Sequence, residues 1–448
     1  MSGGVPDTHY ALNGDLNIAY QVIPGEVEGP ARLLLSDPRF CIDLMWDDPL
    51  FARNLRRLST AGRLITLDPH GCGSSDQPSE PFPSLQIWMD DIGAVLDATA
   101  TDSATLIALG EMSRPALLFA AAHPERVDAL VLINASPRSR RADDYPAGMP
   151  DARMDAEREL YISSLGQGQI TDWLAPSRAS DPVFRRLSLK GERLSTRRGN
   201  LRAYLDAFLE GDVRSVLSSI SAEVLLIHRV GNPHLRIDHA RYLRDHLPRA
   251  RLIELPGNDH LWHSGDVDGL FDEVVGYLSG SAPARRTADR MLATVLFTDI
   301  VDSTAHAARV GDSAWRNTLE TYYGLVTRHV ASSSGRLVKS TGDGSLAVFD
   351  GPARAIRCAC GIRDDVQELG LSIRAGLHTG EIELIGDDIG GIAVHVGARV
   401  SALARPGQVL VSASVPPLVI GSGIDFEAQG SHELKGVPGE WAVFEARV

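Results

Sequence analysis

A chain of 448 residues is too long for one hydrophobic core, so two or three domains are expected. Its 44% apolar and 23% charged residues fit a soluble globular protein, and the lack of any run of 18 apolar residues argues against a membrane span. A net charge of −14 argues against non-specific nucleic-acid binding, though not against a nucleotide held through magnesium. The opening residues, MSGGVPDTHYALNG, have neither a basic n-region nor an apolar h-region, so a cytoplasmic protein without a signal peptide is expected. Cys41, Cys72, Cys358 and Cys360 show no metal-ligand spacing and read as reduced, structural thiols.

Residues 8–133 alternate β-runs with amphipathic helices. HYALNGDLNIAYQVI reads as a hairpin, ARLLLS and RLITLD as buried parallel strands, and SLQIWMDDIGAVLDAT as the helix between strands. A β-run at 105–109 passes through a tight turn into an apolar helix, and another β-run follows at 129–133. This alternation predicts a doubly wound sheet. Residues 136–220 are helical, Arg-rich and irregular, as a cap inserted into the sheet would be. The strands EVLLIHR and RLIELPG and the helix VDGLFDEVVGYLSG then close a first domain over residues 1–280. The polar stretch SAPARRTADR, 281–290, reads as a linker, and a second domain is expected over 291–448.

The turn after 105–109 has the shape of a nucleophile elbow, yet it reads Ala108-Leu109-Gly110-Glu111-Met112. Together with LDPHGCGSSDQP, HPERVDALVLINAS and LPGNDHLWHSGD, this resembles the α/β-hydrolase family over residues 8–279. The resemblance places Gly110 at the nucleophile, Asn232 at the triad acid and His260 at the triad histidine. Ser36-Asp37-Pro38-Arg39 stands in the first oxyanion loop. Without serine and aspartate, His260 has nothing to activate and no carboxylate to orient it, so a degenerate hydrolase site is expected. Ser113 lies in the first helical turn beyond the elbow and faces elsewhere. A glycine fits the elbow's left-handed backbone without the strain a side chain brings.

In the second domain, Asp299 ends the apolar strand ATVLF, where a carboxylate is costly to bury alone. Asp343 sits in TGDG, a hairpin turn between RLVKS and SLAVF. Pairing those strands side by side would join the two carboxylates, as a magnesium–nucleotide site requires. The bland readings are a turn former for Asp343 and a helix N-cap for Asp299. IVDST opens a helix, AHAARVGDSAWRNTLETYYGLVTRHV, whose first N–H groups at Asp302, Ser303 and Thr304 would suit phosphates, with the Asp302 side chain as a cap.

The motifs LFTDIVDST, LVKSTGDGSLAVF, RAGLHTGEIELIGDDIGGIAVHVGARV and HELKGVPG stand in the order and approximate spacing of the class III nucleotide cyclase catalytic domain, which this region resembles. The resemblance implies an α+β, ferredoxin-like fold. It makes Asp299, Ile300 and Asp343 the ligands of two divalent ions, Mg2+ or Mn2+. Lys339 and Asp388 would select the base, and a donor lysine with an acceptor aspartate matches adenine rather than guanine. Asp387 is the neighbouring alternative; Asp388 is preferred because it stands eleven positions before Arg399, as in the family's pattern. Arg399 matches the transition-state arginine, and Lys435 the lysine that holds the terminal phosphates. His395 replaces the family's asparagine one helical turn before Arg399 and retains a donor for the ribose.

The expected function is an adenylate cyclase making 3′,5′-cyclic AMP and pyrophosphate from ATP in a homodimer. Its hydrolase-like domain would be a regulatory or dimerising module with a small apolar or acyl ligand, and no nucleic-acid partner is expected. The pairing of domains resembles mycobacterial hydrolase–cyclase fusions. Two rival readings are an esterase with an accessory cyclase-like domain and a non-catalytic nucleotide-binding protein.

Overall fold

The computed structural model of the chain describes residues 5–60, 62–77, 84–195, 199, 201–280, 290–385 and 388–448. The chain divides into two units, Met1–Thr287 and Ala288–Val448. Residues 281–289 of the expected linker lie outside the described residues.

In the N-terminal unit, β1 (Thr8–Asn13) and β2 (Leu16–Ile23) form the expected antiparallel hairpin. β3 (Ala31–Leu35), α1 (Pro49–Ser59) and β4 (Leu64–Leu67) follow. Next come α2 (Leu85–Ala98), β5 (Ala104–Leu109), α3 (Ser113–Ala122) and β6 (Val127–Ile133). Four helices interrupt the alternation where the cap was expected: α4 (Asp151–Ser164), α5 (Gln169–Leu174), α6 (Pro182–Leu194) and α7 (Leu201–Glu210). β7 (Glu223–Arg229), α8 (Ile237–His246), β8 (Ala250–Leu255) and α9 (Val267–Gly280) complete the unit.

The eight strands lie in the order β1-β2-β4-β3-β5-β6-β7-β8. From β4 to β8 neighbours are parallel, and β2 alone runs antiparallel, pairing with β1 on one side and β4 on the other. Ile107 and Leu109 of β5 and Val131 and Ile133 of β6 pack with Phe51 and Leu55 of α1 and Phe271 and Val274 of α9. Alternate residues such as Leu106 and Leu130 are equally buried on the opposite face, which is why these strands read as continuous apolar runs. α1 starts cleanly because Pro49 occupies its first turn and the Asp48 side chain accepts from Leu50 N at 2.9 Å.

The C-terminal unit runs β9 (Arg290–Ile300), α10 (Ser303–Val310), α11 (Asp312–Ser332), β10 (Arg336–Thr341), β11 (Gly344–Phe349) and α12 (Pro352–Glu368). Then follow β12 (Ile373–Ile385), β13 (Asp388–Gly390), α13 (Ile392–Leu403), β14 (Val409–Ser412), β15 (Asp425–Glu433) and β16 (Glu440–Arg447). The sheet order is β10-β11-β9-β12-β14-β16-β15, with β13 paired to β12. β12 and β14 are parallel, and the other pairs are antiparallel.

One expectation is corrected here. The single helix expected after IVDST is two, because Gly311 at φ +85° breaks the run between α10 and α11.

The two faces of β9 sort its residues. Leu296 and Ile300 pack with Tyr322 and Val326 of α11 and Ile356 of α12, while Val295 and Phe297 pack with Ala393 of α13. By alternation Asp299 belongs to the α13 face. α13 sits unusually close to that face: a Cβ on Gly376 of β12 would run into the backbone nitrogen of Ser401.

Candidate functional site

The C-terminal unit brings the backbones of the two predicted aspartates side by side. Gly344 of β11 lies opposite Asp299 of β9, and Ile300 N donates to Asp343 O at 3.1 Å. Asp343 therefore sits in the β10–β11 turn, directly beside the end of β9. Neither bland reading holds in full: Asp343 is a turn residue, but the register also places it at Asp299, and Asp299 ends a strand rather than capping a helix. The Ser303 hydroxyl, in the first turn of α10, donates to Asp343 Oδ2. Thr304 follows in the same turn.

The expected cap at Asp302 is a second correction. Asp302 occupies the N-cap position, but at φ +53° and with no side-chain cap hydrogen bond. Capping side chains reach the helix N–H groups from an extended backbone, and the left-handed conformation turns Asp302 away from them.

Arg374 is a residue that the sequence reading missed. On β12 it lies opposite Asp299, and its Nε donates to Asp299 Oδ2 at 2.9 Å. Asp299 stays partly exposed, so this guanidinium balances its charge without closing it off. The signal was an arginine in an otherwise apolar strand, SIRAGL, whose partner emerges only from strand register.

The other predicted residues come from α13, β10, β13 and the segment between β15 and β16. His395 and Arg399 are exposed, one turn apart on α13, and Arg399 Nε donates to Lys435 O at 3.1 Å. Among the described residues no ion pair joins Asp299 or Asp343 to Arg399 or Lys435. Lys339 is exposed on β10, opposite Leu346 of β11, which places it on the α13 face. Asp388 begins β13, its backbone opposite Ile385, and β13 approaches β10. Asp387 lies outside the described residues.

In the N-terminal unit the elbow survives. Gly110 follows β5 at φ +52° and leads into α3. Ser113 is buried, with its Oγ donating to Gly110 O at 2.6 Å, so it offers no nucleophile. Asn232 reaches His260, as the triad position requires, with Nδ2 3.2 Å from Nδ1. Asn232 Oδ1 accepts from His234 N at 3.0 Å and Leu235 N at 3.2 Å, which fixes the amide with its NH2 toward His260. Nδ1 of His260 must then accept, and its proton sits on Nε2. That is the wrong tautomer for a base facing the elbow. Burial holds His260 below the usual histidine range, against the pull of Glu111. Asp37 lines the small space beside Gly110 and His260, where an oxyanion would need donors. Burial raises the Asp37 pKa, but the Arg39 guanidinium, with Nε 2.7 Å from Oδ1, outweighs burial and leaves it below the ordinary range. The elbow thus carries no nucleophile side chain, and its histidine is paired with an amide instead of a carboxylate.

Glu111 and His234 are further residues the sequence reading missed. His234 Nε2 donates to Glu111 Oε1 at 3.2 Å, and His260 Nε2 stands 3.8 Å from Oε2. Burial opposes ionisation of Glu111, yet the two imidazoles hold its carboxyl well below the usual range. Above this group, between elbow and cap, lies a cavity of about 100 Å³ walled by Met112, Tyr161, Trp173, Tyr204 and Phe208.

Residues 288–445 match the family model described as the adenylate and guanylate cyclase catalytic domain. The C-terminal unit is a class III cyclase catalytic domain. The chain is 31% identical over 170 residues to the "Putative adenylate cyclase 3" of Rhizobium meliloti (strain 1021), covering 34% of this chain and 28% of that protein. It is 28% identical over 200 residues to an uncharacterized protein of Mycobacterium tuberculosis (strain ATCC 25618 / H37Rv), covering 42% of this chain and 50% of that protein. The chain thus spans half or less of the length of these curated relatives. Among solved structures, a hydrolase from Pseudomonas aeruginosa PA01 matches with a TM-score of 0.52 and 23% identity, over 61% of this chain and 99% of that one. The N-terminal unit has the α/β-hydrolase fold.

Class III cyclase domains take a nucleotide, generally use divalent metals and usually dimerise. The residues present fit a hard cation: Asp299 near the end of β9 and Asp343 in the adjoining β10–β11 turn offer carboxylate oxygens, with Ile300 next to Asp299 in the chain. No described helix is long and apolar enough to cross a membrane.

Proposed function

We propose that the cyclase domain converts ATP to 3′,5′-cyclic AMP and pyrophosphate in a homodimeric site. The observation that carries this reading is the β11–β9 register, which sets the turn residue Asp343 beside the end of β9 that bears Asp299. Two divalent ions, Mg2+ or Mn2+, bound by Asp299, Asp343 and Ile300, would lower the pKa of the ribose 3′-hydroxyl and stabilise charge at the α-phosphate. Arg374, donating to Asp299 Oδ2, holds that carboxylate in a fixed orientation. Arg399 neutralises charge developing on the transferring phosphoryl group, and Lys435 holds the terminal phosphates. His395 donates to the ribose in place of the family's asparagine. Ser303 and Thr304, with Asp302, present backbone N–H groups at the start of α10.

Lys339 and Asp388 read the base. Adenine offers an acceptor at N1 and a donor amine at N6, which a donor lysine and an acceptor aspartate satisfy. Guanine has the reverse pattern at N1 and O6. The hydrolase-like unit serves as a regulatory or dimerising module: its elbow is disarmed, and its cavity persists as a ligand pocket.

The deciding experiment measures cyclic nucleotide formation from ATP and GTP with magnesium or manganese. Cyclic AMP from ATP is expected, with turnover abolished in Asp299→Ala and Asp343→Ala while the fold is retained. Near-normal turnover in either variant, or no cyclic nucleotide from the wild type, would refute the reading.

A further inference from the structure

We propose that the cavity above the disarmed elbow binds a small protonated amine with an alkyl or aryl body, its ammonium held by Glu111. The proposal narrows the ligand-holding role given to this unit and is independent of cyclase chemistry. The walls supply aromatic and thioether surface from Met112, Tyr161, Trp173, Tyr204 and Phe208. Aromatic faces next to a carboxylate are the usual surroundings of an organic cation. The volume, about 100 Å³, approaches the roughly 150 Å³ apolar cavity that admits benzene.

The charges reaching this space are unequal. Arg39 is spent on Asp37. Arg158 bonds Asp206 at 2.8 Å, and Glu157 bonds Arg153 at 2.8 Å. Arg114, behind the elbow, donates to Ser136 and Ser139. Glu111 keeps 24% of its side chain accessible, and the cavity is where that surface opens. A carboxylate ligand would meet Glu111 and find Arg39 already paired; an ammonium would meet an acceptor. Gly110 is part of the same arrangement, since a Cβ there would lie 2.9 Å from His260 Nε2 and displace the ring that flanks Glu111.

Glu111, His234 and His260 also lie close enough together to suggest a metal site. Their outer partners speak against it. An imidazole bound through Nε2 needs its Nδ1–H to donate, but His260 Nδ1 faces the Asn232 amide NH2, and His234 Nδ1 is buried without a hydrogen-bond partner.

The test is isothermal titration of the full chain with benzylamine, benzoate and zinc chloride. Benzylamine should bind, and Glu111→Gln should weaken it roughly ten- to hundredfold, the worth of a hydrogen bond to a charged group. Leu205→Trp, which fills the cavity from its wall, should abolish binding with an unchanged circular dichroism spectrum. Benzoate should give no heat. The proposal fails if benzylamine does not bind, if benzoate binds as well, if Glu111→Gln leaves the affinity unaltered, or if stoichiometric zinc is taken up and blocks the amine.

Discussion

At Gly110 a serine would carry two burdens that the sequence alone could not weigh. Its backbone would sit at φ +52°, and its Cβ would crowd His260 Nε2 at 2.9 Å. Gly110→Ser should therefore cost about 1–3 kcal/mol, read as a lower urea midpoint. It should remain silent in ester hydrolysis, because Asn232 holds the imidazole in the wrong tautomer and Asp37 stands where oxyanion donors belong. Measurable hydrolysis blocked by a serine-directed reagent would overturn this account. A second residue-scale expectation concerns His378 of β12, bonded through Nδ1 to Ser412 Oγ at 2.7 Å. Burial lowers its pKa from 6.5 to about 4, so the fold holds the neutral ring. The unfolded chain binds the proton first as pH falls, so this contribution is complete above pH 6.5 and is lost toward about 4. Over that window it is worth on the order of 3 kcal/mol. In urea titrations, the stability gap between wild type and His378→Gln should shrink as pH drops from roughly 7 to 5; a constant gap would contradict the sign.

Among the elements, α13 shows how placement precedes chemistry. It carries His395 and Arg399, and its approach to the sheet depends on Gly376 having no side chain. Gly376→Ala should push the helix away and cost about 1–3 kcal/mol, occasionally more. Cyclic nucleotide formation should fall with it if Arg399 has the role proposed above, since a shift of one ångström in such a group is costly. A variant with wild-type stability would show that α13 has room to spare. The strands ATVLF, RLVKS and SLAVF were legible beforehand, including the hairpin around Asp343, whereas β15, DFEAQGSHE, has no apolar run to mark it. The break at Gly311 was not, because a glycine inside an amphipathic period is compatible with either a continuous helix or a left-handed stop. Ser303 was read for its backbone, whereas its hydroxyl is what reaches Asp343.

For the whole molecule, no ion pair among the described residues joins Asp299 or Asp343 to Arg399 or Lys435, and this leads to a complementation test. If each homodimeric site draws its carboxylates from one chain and its arginine from the other, Asp299→Ala and Arg399→Ala chains should be inactive alone. Mixed with subunit exchange demonstrated, they should recover one intact site per heterodimer. Continued inactivity would rule out sharing. Base preference belongs to the same scale, since Lys339 and Asp388 come from different strands. ATP should be preferred over GTP, and replacing the pair with Glu and Cys should reduce that preference by roughly 1–3 kcal/mol per hydrogen bond. A wild type that favours GTP would reverse the assignment.

The linear order of residues was enough to point to a hydrolase-like fold followed by a cyclase fold, to helices between β6 and β7, to an elbow that reads glycine, and to Asp299 and Asp343 as candidates. Those features are written in local periodicity, turn chemistry and motif spacing, which survive in one dimension. Arg374 against Asp299, the Asn232 amide that sets the His260 tautomer, and the Glu111–His234 contact were decided by the tertiary structure. They join residues 75, 28 and 123 positions apart. Such contacts depend on strand register and on which hydrogen-bonding atom faces which, and neither leaves a periodic trace in the chain.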